Sequence, residues 1–127
     1  MRFADVTRLA QSLPGIEEST SYGTPALKVR GKLIARLKED GESIVLRTDF
    51  LDREFLMRSW PDTFFITEHY REYPWVLVRL AVVGEGQLLE LLDDAWRGVA
   101  GKRAIRARDG ETAAPAKRTS RRGTKKR

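Results

Sequence analysis

The spacing of apolar residues changes along this chain in a way that divides it into elements. Phe3, Val6, Leu9, Ala10 and Leu13 recur at intervals of three and four, one stripe of a helix, and Pro14-Gly15 stops it. From Ile16 to Arg47 the period falls to two. Leu27 and Val29 alternate with Lys28 and Arg30, while Leu33, Ala35 and Leu37 alternate with Ile34, Arg36 and Lys38. Gly31-Lys32 predicts a glycine-first turn of the II′ kind and Asp40-Gly41 a I′ hairpin, so these strands should form an antiparallel meander. Thr20 to Tyr22 adds a short strand before Gly23-Thr24-Pro25, and Ile44 to Leu46 ends the group.

Thr48 or Asp49 offers a side-chain oxygen to cap a second helix containing Leu51, Phe55 and Met57, which Ser59-Trp60-Pro61-Asp62 ends. Thr63 to Thr67 is β-prone, and Glu68 to Pro74 reads as a polar and aromatic loop. Trp75 to Val83 is apolar except for Arg79, the pattern of a buried central strand. After Gly84-Glu85-Gly86, Leu88, Leu91, Leu92, Ala95, Trp96 and Val99 make a wide apolar helix face. The order predicts a two-layer α+β domain: an antiparallel sheet of about five or six strands with helices on one face.

Charge changes the picture more than composition does. The 127 residues suit one domain, and the absence of cysteine excludes disulfides and thiolate metal sites. The net charge of +6 is a sum of opposites. Residues 102–127 hold eleven Lys/Arg against Asp109 and Glu111, a net of +9, whereas residues 1–101 hold thirteen against sixteen carboxylates, a net of −3. Residues 107–127 contain no Leu, Ile, Val, Phe, Tyr or Trp. A folded domain over 1–103 and a disordered basic tail over 104–127 are therefore expected. No segment has the length of apolar sequence that spans a bilayer, and the N-terminus carries Asp5 in a helical pattern, so a cytoplasmic location is expected.

Two basic sets are candidates for nucleic-acid contact. The first is the tail cluster Lys117, Arg118, Arg121, Arg122, Lys125, Lys126 and Arg127, whose cations would release counterions from a phosphate backbone without reading sequence. A solubilising terminus is the plainer alternative. The second is Lys28, Arg30, Arg36 and Lys38, which alternation places together on the sheet face opposite the helices, with Lys32 at the hairpin tip. A solvated antiparallel sheet face commonly carries Lys and Arg, so this set too has two meanings. Tyr22, Tyr70 and Tyr73 form a candidate recognition surface, while Trp75 and Trp96 fit core patterns.

Catalytic and cofactor signals are weak. His69 stands alone in the aromatic loop, and a lone loop histidine is more often a packing or surface residue than a general base. Leu89 occupies the place where a dinucleotide fingerprint after Gly84-Glu85-Gly86 needs its third glycine. Asp93 and Asp94 point in different directions on a helix. No enzyme activity, cofactor or metal is expected, and a monomer is.

The block Tyr22-Gly23-Thr24-Pro25-Ala26-Leu27-Lys28-Val29-Arg30-Gly31-Lys32 resembles the MmcQ/YjbR family of small bacterial proteins. So do Tyr73-Pro74-Trp75-Val76-Leu77-Val78 and the helix carrying Ala95-Trp96, in the same element order over about residues 1–103. The resemblance implies a compact α+β "double wing" fold whose hairpins contact DNA, with Lys28, Arg30, Lys32, Arg36 and Lys38 as the implied surface. The expected function is non-enzymatic, weakly sequence-selective DNA binding. The alternative is a protein-interaction module, on the sheet face or near Tyr22, Tyr70 and Tyr73, with a solubilising tail.

Overall fold

The computed structural model describes residues 1–112, with side chains through Gly110. Helix α1 covers Phe3–Ala10, and four strands follow: β1 Ile16–Ser21, β2 Thr24–Val29, β3 Lys32–Leu37 and β4 Ser43–Arg47. Helix α2, Phe50–Ser59, leads to the short β5, Phe64–Phe65, and a 3-10 turn at Glu68–Tyr70 precedes β6, Trp75–Arg79. Helices α3, Glu85–Arg97, and α4, Lys102–Thr112, complete the order. The six strands form one antiparallel sheet in the order β1-β2-β3-β4-β6-β5.

One sheet face and the helices share a single core. Leu27, Val29, Ala35, Ile44, Leu46, Val76 and Val78 line that face, and Val6 and Ala10 of α1 and Leu88, Leu92 and Trp96 of α3 close over it. Each helix end has its own cause. The backbone N–H of Arg2 donates to the Asp5 carboxylate at 2.8 Å, and this bond holds Asp5 below its usual pKa. Asp49, not Thr48, caps α2, its Oδ1 accepting from the Asp52 N–H at 2.7 Å. Trp96 is fully buried, and its indole N–H donates to the Pro14 carbonyl at 2.7 Å, tying α3 to the end of the first helical segment.

Four local expectations from the sequence are corrected. The β2–β3 turn is Arg30-Gly31, with both residues at positive φ (57° and 77°), the signature of type I′ and not of a II′ turn at Gly31-Lys32. The β1–β2 turn, Tyr22-Gly23, is built the same way, with φ of 54° and 81°. Asp40-Gly41 belongs instead to a longer loop, closed by the Lys38 N–H to Ser43 carbonyl bond and by Asp40 Oδ1 accepting from the Glu42 and Ser43 amides. The predicted strand Trp75 to Val83 stops at Arg79.

The fourth correction is one of phase. The β2–β3 register shifts between Leu27 and Lys28: Leu27 pairs with Ala35, but Lys28 pairs with Leu33. Ile34 is the extra residue of this β-bulge. Ile34 therefore joins Ala35 in the core, fully buried, and Leu33 turns out to the second face beside Lys28. Strict alternation had placed these two residues the other way round.

Candidate nucleic-acid interface

The five cations expected on one wet sheet face do not form one. Register places Ala26, Arg36, Val45, Leu77 and Phe65 in a row across the second face. Ala26, Val45 and Leu77 are buried there, so the middle of this face is covered. Arg36 is only 5% exposed. Its Nη1 donates to Thr24 Oγ1 at 3.1 Å and to the Leu37 carbonyl at 3.3 Å, and its Nη2 donates to the Tyr70 hydroxyl at 3.0 Å. Burial works against this charge, but the Tyr70 hydroxyl and the Glu39 carboxylate, 3.4 Å away, hold the guanidinium above its ordinary pKa. Arg36 is a structural cation whose Nη1 and Nη2 both bond within the fold.

Lys28 does lie on the second face, but β1 places the carboxylate of Glu17 directly across from it in the register, so the cation does not stand alone there. Lys38 stands beyond the end of β3, at the edge away from Lys32. The alternation rule failed because it considered β2 and β3 without their neighbours, one of which brings a carboxylate and another a tyrosine.

The three tyrosines separate as well. Tyr22 is exposed at the β1–β2 tip with its ring 5.1 Å from the Arg36 guanidinium, and Tyr73 is exposed in the β5–β6 connection. Tyr70 is half-buried and spends its hydroxyl on Arg36, so it is not a free recognition residue. His69 is exposed on the 3-10 turn, its ring edge-on to Tyr70 at 4.7 Å. Trp75, expected in the core, is half-buried, and Arg47 covers its ring at 4.9 Å.

A different cation cluster forms at the opposite tip. The Arg30 side chain reaches over the end of α3, with Nη1 3.4 Å from the Val99 carbonyl and so close to Gly101 that a Cβ there would lie 3.2 Å from it. Lys102 and Arg103 follow Gly101 at once, and Arg106 lies one turn further along α4 on the same side. Arg30, Lys32, Lys102, Arg103 and Arg106 are all exposed. Among the described residues none of these five makes an ion pair.

Helix α4, Lys102–Thr112, runs into the segment expected to be a disordered tail from residue 104. Ala104 and Ile105 pack on the core, and a network of ion pairs fixes the helix to α3. Arg97 bonds Asp109 at 2.6 Å and Asp93 at 2.8 Å, while Arg108 bonds Asp93 at 2.9 Å and the Ser12 carbonyl at 3.0 Å. The Asp109 bond, opposed by burial and aided by Asp93, raises the Arg97 pKa. Composition missed α4 because its stability comes from these tertiary ion pairs and two apolar side chains, not from an apolar stripe. The remaining tail cations, Lys117, Arg118, Arg121, Arg122, Lys125, Lys126 and Arg127, lie outside the described residues.

With fold and surface in place, comparison with known proteins gives a family. The YjbR family model matches residues 11–98, which is the whole sheet and all of α2 and α3. The chain belongs to the YjbR family. A solved structure of similar fold is the Deinococcus radiodurans protein DR2400, which carries a DUF419 domain. The two chains are 23% identical, with a TM-score of 0.66 over 87% of this chain and 86% of that one. No curated protein matches this chain. The YjbR match ends at residue 98, so Lys102, Arg103 and Arg106 lie outside it. Among the described residues no helix is long and apolar enough to cross a membrane.

Proposed function

We propose that this YjbR-family protein binds nucleic acid without catalysing a reaction, and that its folded part meets phosphates through the β2–β3 tip and the start of α4. The observation that supports this reading is the seating of Arg30 over Val99 and Gly101, which joins two sequence-distant cations, Arg30 and Lys32, to Lys102, Arg103 and Arg106. The first turn of α4 has no carboxylate, so Lys102 and Arg103 sit at the positive end of the helix dipole, where they cost stability. An anionic partner offsets that cost. The mechanism is counterion release at a cluster that the fold holds in place.

The test is a salt titration of affinity for a labelled DNA duplex and a single strand of equal length, using the full chain. Each lost phosphate contact lowers the slope of log affinity against log salt by about 0.9 on a duplex. A variant with Lys102, Arg103 and Arg106 all changed to Gln should bind more weakly and lose about two to three units of slope. Lys28→Gln should change little, because Glu17 already opposes it. Absence of salt-sensitive binding at low salt, or equal losses from the Lys28 and α4 variants, rejects this interface.

A further inference from the structure

Helix α2 turns most of its apolar surface outward. It buries only Arg53 and Leu56, while Phe50 is 51% exposed, Leu51 82%, Phe55 58% and the capping residue Trp60 44%. Leu51 and Phe55 are one turn apart, and Phe55 meets Trp60 edge-on at 5.9 Å, so the patch is continuous. It is also rigid. Arg53, on the inner side of the same helix, donates to backbone carbonyls of Tyr70, Arg71, Tyr73 and Trp75, and Asp49 fixes the N-terminal end.

We infer that this face binds the same face of a second copy of the chain, with the two α2 helices antiparallel across a two-fold axis. Two arguments select this occupant. The first is charge. Glu54 and Arg58 lie on the exposed face beside Leu51 and Phe55, the acid towards the N-terminal end and the base towards the C-terminal end. Their own pairing is loose, at 4.0 Å with both side chains at least 70% exposed. An antiparallel two-fold brings the acidic half of each helix against the basic half of the other, so the surface is complementary to itself. A parallel arrangement would set like against like.

The second argument is area. About half of each of three aromatic side chains and nearly all of Leu51 amount to roughly 400–500 Å² of apolar surface, the size at which a patch on a single chain usually serves contact. Doubled across a two-fold axis this reaches on the order of 1,000 Å², the lower bound for a specific interface, so the association is a weak one.

Sedimentation of the full chain over about 1 to 500 µM tests this, since mass action must raise the average mass toward two chains as concentration rises. Leu51→Glu and Phe55→Glu alter exposed positions and should keep the parent melting temperature while holding the mass at one chain. Glu54→Arg and Arg58→Glu should each weaken association by about threefold to tenfold, and the double exchange should restore it, because the swapped charges again meet their opposites. A chain that stays at single mass throughout, with the patch then left to a different partner or to lipid, overturns the proposal. So does a dimer indifferent to Leu51→Glu, or one that the double exchange fails to restore.

Discussion

Replacing Arg53 by Met removes a buried cation that has no carboxylate partner among the described residues and donates to backbone carbonyls. Arg53 is 9% exposed, and its Nη1 lies 3.0 Å from the Tyr70 carbonyl, 2.7 Å from Tyr73 and 3.2 Å from Trp75. Its Nη2 lies 2.9 Å from the Arg71 carbonyl, and the Phe50 ring sits 4.9 Å from the guanidinium. Two hydrogens on Nη1 serve three acceptors, so the set is worth about three bonds, each contributing about 1.5–3 kcal/mol for a charged donor. Met fills much of the same volume and recovers a few kcal/mol of desolvation, which leaves a net loss of about 3–4 kcal/mol. For a domain of this size that lowers the melting temperature by roughly 10–15 °C. Urea unfolding of Arg53→Met and Arg53→Lys measures it. Lys keeps the charge but cannot fork, and should recover only part of the loss. Hydrogen exchange adds a local readout, since the amides of Tyr73 and Trp75 should lose protection before the central strands do. If Arg53→Met unfolds within about 1 kcal/mol of the parent with exchange in residues 70–75 unchanged, the fork does not hold the loop and the reasoning is wrong.

Other changes test other parts of the fold. Trp96→Phe leaves the Pro14 carbonyl without its donor and opens space in the core, and should cost about 2–4 kcal/mol in a urea titration. The bulge predicts opposite outcomes at adjacent residues: Ile34→Ser should cost at least about 3 kcal/mol and Leu33→Ser less than about 1, whereas simple alternation predicts the reverse. Arg30→Gly relieves a positive φ at the loss of one long bond to Val99, so stability should rise by about 0.5–1 kcal/mol; a drop would mean that the bond outweighs the strain. The Glu39 backbone N–H and Arg36 hold the Glu39 carboxyl below its ordinary value of 4.5. With the folded pKa depressed, its contribution is present above the unfolded value and lost as pH falls through the folded one, so its NMR titration should have a midpoint below 4.5 that Arg36→Met moves upward.

The chain's own pattern was enough for the architecture. The three-and-four spacing of α1 and α3, the two-residue period between them and the Asp49 cap are local signals, and local signals survive because backbone hydrogen bonding and burial act on the same few residues. The antiparallel sheet with helices on one face follows from them. The hairpin tips were located within a residue, although their turn types were not: Tyr22 and Arg30 occupy positive φ ahead of glycine, where sequence rules expect Asn, Asp or Gly.

The fate of each charge was decided only in three dimensions. Whether a lysine on a strand is available depends on the residue across from it, and Glu17 and Lys28 meet only because β1 pairs with β2 in that register. Arg36 has the same local pattern as Lys28, but a tyrosine from a distant connection closes over it. One extra residue at Ile34 inverts the inside and outside of half a strand. The tail that composition read as unstructured contributes a helix, because Asp93 and Arg97 of α3 wait for Arg108 and Asp109. Composition and period fix which residues are apolar and how far apart they stand. Electrostatic partners come from segments far apart in the chain, and only the packing of those segments decides which cations are spent on the fold and which remain for a partner.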